Sequence, residues 1–387
     1  MSDTATITDA SLAFVRIAPS ERLPPPISTS GPIAWLRDNL FSSVFNACLT
    51  GVIVLLAIWV IPPAVKFLLI DAVWDGASRA DCLPTPARPE VGACWAFVFE
   101  RIGFFTYGFY PVDQRWRIDV FFALLAFGVA WLLWLDAPRR TLAALYFFVV
   151  MPILSFILLV GLPAIGLPYV STSEWGGILV TIVVASVGIV FALPLGILLA
   201  LGRRSRMPAV RLFSVIYIEF VRGVPLITVL FMASVMLPLF VPDALQPDKL
   251  LRALVGVALF SAAYMAEVVR AGLQAIPKGQ FEAAMAVGLS YSQSMRLIVL
   301  PQALKITVPN IVNLNIGLFK DTTLVFVVGI FDLLKAIEAA RIDPNWATPV
   351  TSTTGYAFAA IFYFIFCYGM ARYARFVEQR LAAGDRR

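Results

Sequence analysis

The chain has 387 residues, of which 60% are hydrophobic and 14% charged, with a formal net charge of +6 and a mean hydropathy of +0.85. Soluble domains carry about 25% charged residues, so this composition defines an all-α polytopic membrane protein. The absence of histidine excludes Ser-His-Asp triads, histidine bases and histidine metal ligands, and no stripe of Lys and Arg interleaved with aromatics suggests a nucleic-acid partner.

Residues 1–38 are polar, contain Pro24, Pro25 and Pro26, and lack an apolar h-region. A flexible cytoplasmic tail without a cleavable signal peptide is expected. Charge-free windows, the second of them after its opening Asp119, then run 39–65, 119–135, 141–173, 175–202, 223–242, 253–266, 306–319 and 344–371. A bilayer needs about 20 apolar residues per helix, so 253–266 must borrow its ends. The window 306–319 is interrupted by Lys320 and Asp321 and resumes at 322–331. It reads as one broken or tilted span of about 25 residues. About eight transmembrane helices result.

The loop 66–118 separates the first two spans and holds Cys82, Cys94, Trp74, Trp95 and Trp116. If it is extracytoplasmic, Cys82 and Cys94 could form a disulfide, which their spacing alone does not decide. Cys48 and Cys367 lie in apolar windows and read as packing residues. Trp131 and Trp134 read as interface anchors.

With a cytoplasmic N-terminus, inner segments carry 19 Lys and Arg and outer segments ten; short loops alone give 11 inside and four outside. The positive-inside rule therefore puts both termini, and the segment around Glu282, in the cytoplasm.

That segment is a polar helix–turn–helix. Pro277 suits a first helical turn, and Gly288 suits a left-handed residue ending the helix. Ser290 with Gln293 forms a capping box for a second helix through Met295, Leu297 and Ile298. Pro301 marks that helix's end or a kink. From the pattern alone, the element is either an amphipathic loop on the membrane surface or a rigid two-helix knob offered to a soluble partner.

Glu282, Ala283, Ala284, Gly288, Ile298, Leu300 and Pro301 match the EAA---G---------I-LP signature. The chain thereby resembles permease subunits of bacterial binding-protein-dependent ABC importers. Its flanks, Ala263-Tyr264, Glu267, Arg270, Ile276 to Gln280, Arg222 to Pro225 and Lys320 to Leu324, look like the polar amino acid subfamily. Val224, Val229 and Thr323 depart from the usual subfamily residues. Together with three extra N-terminal spans and the long loop, they look like the M-type subunit of general L-amino acid importers. The subfamily resemblance covers about 170–387 and is weaker over 1–169.

The resemblance implies a five-helix type I importer core at 170–387 with a coupling loop at 277–301, and an accessory three-span region at 39–169. It implies ATPase subunits that dock on the coupling loop, a second permease subunit favouring a heterodimer, and an extracytoplasmic amino-acid-binding protein. It also implies an L-amino acid substrate and a multi-pass place in the bacterial inner membrane among lipid. No Walker-type phosphate loop occurs, so the chain is expected to bind no cofactor. ATP and Mg would be used by the partner, and no catalytic or metal-binding residue is expected here.

Lys320 and Asp321 interrupt a span. They are a structural ion pair, an interfacial end of the span, or part of a translocation route that meets both charges of an amino acid. Thr322, Asn313 and Asn315 are further route candidates. The two asparagines are at i and i+2 and do not share a face. Glu267 and Arg270 read as a structural pair, Arg222 as a snorkelling residue, and Gly196 with Ala200 as a close helix contact. A secondary transporter would need paired inverted repeats, and none is evident. A membrane-embedded enzyme would need an acid–base cluster, and intramembrane carboxylates are scarce.

Overall fold

A computed structural model describes residues 31–384 except 87, 135 and 243–245, with side chains to residue 381. The expected tail through residue 30, with Pro24, Pro25 and Pro26, lies outside the described residues. The described chain is helical, and its β-pairing is confined to isolated bridges. It divides into two compact units, 1–67 and 68–387.

In the first unit, helix α1 (Pro32–Leu40) takes up residues assigned to the flexible tail. Ser43 then caps α2 (Val44–Val65) by accepting from the Asn46 N–H at 3.1 Å. α2 buries none of its residues, as suits an apolar helix in lipid.

Among the described residues, seven helices are long and apolar enough to cross a membrane, and eight if one bent pair counts as a span. In the second unit the order begins with α3 (Trp95–Tyr107), α4 (Trp116–Leu133), α5 (Arg140–Leu145) and α6 (Met151–Val160). It continues with α7 (Gly177–Arg203), α8 (Pro208–Gly223), α9 (Leu226–Phe231) and α10 (Lys249–Ala275). α11 (Lys278–Ala286), α12 (Tyr291–Ser294), α13 (Leu300–Asp321), α14 (Leu333–Arg341) and α15 (Thr351–Gly384) complete it.

Several expected boundaries move for local reasons. The window 141–173 ends as a helix at Val160, because Gly161 has φ +91° and Pro163 and Pro168 follow. The window 344–371 becomes helical only at Thr351, after Pro344 and Pro349. The window 253–266 does borrow its ends and grows into the 27 residues of α10. The window 223–242 is not a straight span. α8 and the segment Leu226–Leu239 meet at 105°. Pro225 forces the preceding Val224 into an extended conformation (φ −111°, ψ 136°).

Three wide π-turns, Tyr146–Val150, Met232–Met236 and Met295–Val299, each end two residues before a proline: Pro152, Pro238 and Pro301. A proline ring crowds the carbonyl four residues earlier and offers no N–H; a widened turn moves that carbonyl aside. Pro301 therefore does not end its helix. The chain from Tyr291 to Val328 is one continuous helical run of 38 residues, long enough to hold the end of the knob and a membrane span. It shifts to 3₁₀ geometry at Thr322–Val328 rather than breaking at Lys320.

Gly196 lies against Met265 and Ala266 of α10, where an added Cβ would meet the Ala266 nitrogen at 3.0 Å. The small-residue pair of α7 thus permits close packing against α10. Within the loop 66–118, Cys82 and Cys94 are joined by a disulfide with Cα atoms 5.7 Å apart. The loop also contains α3, whose Phe97 and Phe105 are fully buried. Gly177 (φ +64°) lets α7 start against α3, since a Cβ there would lie 2.0 Å from the Phe105 carbonyl oxygen.

The Gly177 N–H donates to the Phe331 carbonyl at 2.9 Å, and the next residue, Asp332, is fully buried. Its Oδ1 caps α14 by accepting from Lys335 N–H at 3.0 Å, while Oδ2 has no partner among the described residues. Burial raises its pKa from 3.8 to about 6, against the lowering effect of backbone donors. The folded state then holds a proton that the unfolded state has lost. Stability from this site is fully present below pH 3.8 and falls as pH rises through about 6. Asp332→Asn keeps a capping oxygen and removes the buried charge, a gain at pH 7.5 of at most about 3 kcal/mol. The variant is expected to melt at or above the wild-type temperature at pH 7.5 in detergent and to lose the slope between pH 4 and 6. A lower melting temperature with the slope intact would contradict this account.

Candidate functional site

The Glu282 segment folds as a two-helix knob. Pro277 caps α11. At the helix end the Gly288 N–H donates to Met285 O at 2.9 Å and the Leu289 N–H to Ala284 O at 3.1 Å. Gly288 has φ +79°, so this is a Schellman turn needing a left-handed residue. Ser290 and Gln293 form the capping box: the Ser290 N–H donates to Gln293 Oε1 at 2.9 Å and the Gln293 N–H to Ser290 Oγ at 3.4 Å. Gln302 Nε2 donates to Gln280 Oε1 at 3.2 Å, tying the start of α13 to α11. The Arg204 guanidinium lies 5.7 Å from the Phe281 ring centre, tying the knob to the end of α7.

The signature residues divide by environment. Glu282, Ala283, Gly288 and Pro301 are exposed, Ile298 and Leu300 half-buried, and Ala284 buried. Ala284 packs inside the knob and faces no partner. Met285, Val287, Tyr291 and Leu297 are each more than 60% exposed. Sequence reading gave none of these four a docking role, Leu297 being read only as part of the second helix; their signal is apolar residues on an otherwise polar element outside the spans. Pairs of this kind on a rigid, protruding two-helix element suit docking to a soluble protein.

Behind the knob, the expected Glu267–Arg270 pair is part of a larger network. Glu267 Oε2 pairs with Arg270 at 2.7 Å, and Oε1 with Arg203 at 2.7 Å and Arg222 at 3.7 Å; Arg203 also reaches Glu219 at 2.9 Å. The ends of α7, α8 and α10 are joined at one carboxylate. Arg222, read as snorkelling, instead turns to Glu267 and lies 5.7 Å from the Tyr264 ring centre. Sequence spacing finds only the local i, i+3 pair.

Along α13, Lys320 is exposed and Asp321 half-buried. Neither makes an ion pair among the described residues, which removes the structural-pair reading. Asn313 is exposed and Asn315 half-buried, with Asn315 Oδ1 lacking a partner. Thr322 departs from expectation. It is buried and its hydroxyl donates to Phe319 O at 2.8 Å, so its hydrogen bond is spent on the helix end.

Packed membrane spans, a two-helix knob with exposed apolar side chains and unpaired charges along a span are the parts of a membrane permease. Residues 192–383 match the family described as binding-protein-dependent transport system inner membrane component. The chain is 49% identical over 357 residues to the inner membrane amino-acid ABC transporter permease protein YhdY of Escherichia coli (strain K12), covering 92% of this chain and 95% of that one. It is 40% identical over 445 aligned positions to the glutamate/glutamine/aspartate/asparagine transport system permease protein BztC of Rhodobacter capsulatus, covering 100% of both. A crystal structure of an amino acid ABC transporter with histidines is 27% identical at a TM-score of 0.47, over 53% of this chain and 92% of that one. The chain belongs to the family of binding-protein-dependent transport system inner membrane components.

Proposed function

We propose that this chain carries L-amino acids across the bacterial inner membrane as the permease subunit of an ATP-driven importer. The knob at 278–301 is the observation that carries the reading: a rigid element with exposed apolar side chains has little use in a permease unless a partner moves it. ATPase subunits that bind ATP and Mg dock there, and their closure turns the spans by alternating access. A second, different permease subunit completes the pore, and an extracytoplasmic binding protein delivers substrate. Both termini and the knob are cytoplasmic. The names of the two relatives support an amino acid cargo. Co-expression with ATPase subunits and uptake of a panel of labelled amino acids tests the proposal. ATP-dependent uptake and co-purification of the ATPase are expected; uptake that persists without any ATPase would refute the coupling.

Lys320, Asp321, Asn313 and Asn315 are the route candidates of this chain, because charges unpaired within a span require a cavity or a ligand. Asp321→Asn is expected to lower uptake at least tenfold while ATPase co-purification is unchanged. Uptake kinetics equal to wild type would remove Asp321 from the route.

A further inference from the structure

We infer that a recess between the ends of α7, α8 and α10 binds the phosphate of an anionic phospholipid headgroup. Arg203, Arg204, Arg211, Val215, Arg270 and Gln274 line a recess of about 500 Å³ on the membrane face that carries the knob. Its arginines are only partly neutralised. Glu267 serves Arg203, Arg222 and Arg270, and Glu219 also pairs with Arg203. With Arg204 and Arg211, five guanidiniums stand against two carboxylates, a surplus of three positive charges.

Two of the arginines are open to a ligand. Arg204 donates to Leu273 O at 3.3 Å and otherwise rests on Phe281. The Arg211 side chain forms no hydrogen bond or ion pair with the described residues. Planar guanidinium forks match phosphate oxygens in pairs, and basic recesses between spans at a cytoplasmic face take lipid headgroups. A phosphate in the lipid fits better than one free in solution, because Leu212, Phe213, Ile216 and Phe220 of the same helix are all exposed. They give α8 an apolar side against which acyl chains can lie. A bound headgroup would offset the surplus charge beside Phe281 and so hold the base of the knob. The leaflet named here rests on the proposed orientation, whereas the binding does not depend on transport.

The test is native mass spectrometry of the full importer with its partner subunits, in phosphatidylcholine nanodiscs titrated with phosphatidylglycerol. Each arginine near a headgroup is worth about fivefold in affinity. The doubly substituted Arg204→Gln, Arg211→Gln importer is expected to bind phosphatidylglycerol about 25-fold more weakly, with Arg211→Lys, which keeps the charge but not the fork, between Arg211→Gln and wild type. Should the double variant not assemble, Arg211→Gln alone decides the matter, since that side chain has no partner among the described residues. Unchanged phosphatidylglycerol affinity in these variants would overturn the site. Displacement of the lipid by millimolar inorganic phosphate would mean a soluble anion instead. Loss of the ATPase subunits with lipid binding intact would mean that the arginines meet a protein. Absence of amino-acid uptake by the wild-type importer would count against the transport reading and leave the lipid count standing.

Discussion

Gly288→Val is expected to bring uptake to background while membrane insertion and yield stay at wild-type levels. Gly288 sits at φ +79° with nothing within 4 Å of where a Cβ would point. The cost is therefore backbone strain and not a clash, and it falls on the knob alone. A left-handed conformation costs an L-residue about 1–2 kcal/mol, and a β-branched one is the least tolerant. Relieving the strain breaks the bonds from Gly288 to Met285 and from Leu289 to Ala284, each worth about 1 kcal/mol. Those bonds are lost only when the turn opens, so the shift in its population is set by the strain, about 1–2 kcal/mol or about 5- to 30-fold. The turn fixes α11 relative to α12, so Met285 and Val287 on one side and Tyr291 on the other no longer form one surface. Gly288→Asn, which tolerates the left-handed region, is expected to retain most uptake. The pair of variants separates strain from bulk: equal loss in both, or normal transport by Gly288→Val, would contradict the docking role of the turn.

The knob was the most legible part of the chain because its shape is set by local chemistry. Gly288, Ser290 and Gln293 act within one or two turns, so their spacing predicts both the turn and the capping box. The spans were legible as charge-free windows, but their ends were not. Prolines decide those ends, and a proline has two outcomes that composition does not separate. Pro163 and Pro225 interrupt helices, whereas Pro152 and Pro301 are absorbed by π-turns and the helix goes on. Pro225 bends the chain by 105° between α8, which lies in a stretch that read as a loop, and the one helix of the window 223–242.

Long-range features left no trace in spacing. Glu267 meets Arg203 from 64 residues away and Arg222 from 45, and Asp332 is buried by α7, which starts 155 residues earlier. The buried Arg117, whose Nε donates to Leu158 O at 2.7 Å and whose Nη1 donates to Pro168 O at 3.0 Å, counted only as a loop charge. The family signature likewise mixes roles that the residues alone do not separate: Ala284 is interior packing, Gly288 backbone shape and Glu282 exposed surface.

Glu267→Ala is expected to lower both thermal stability and uptake more than loss of any single arginine around it. One carboxylate holds Arg203, Arg222 and Arg270, on three different helices, with its side chain 15% exposed. Removing it leaves three guanidiniums close together, with Glu219 the remaining partner and only for Arg203. Loss of one member of a fully buried pair costs about 3–5 kcal/mol and of an exposed pair less than about 1; this partly open site falls between, at about 2–3 kcal/mol. The mechanism is repulsion, so salt should relieve it, because mobile ions enter a site open to water. The melting temperature of Glu267→Ala should rise with ionic strength toward that of wild type, whose own melting temperature moves less. Glu267→Gln keeps the shape and the acceptor oxygen but not the charge, and should fall between the two. A loss caused by a cavity would not respond to salt. Equal, salt-independent losses in the Ala and Gln variants would therefore reject charge balance as what holds α7, α8 and α10 together behind the knob.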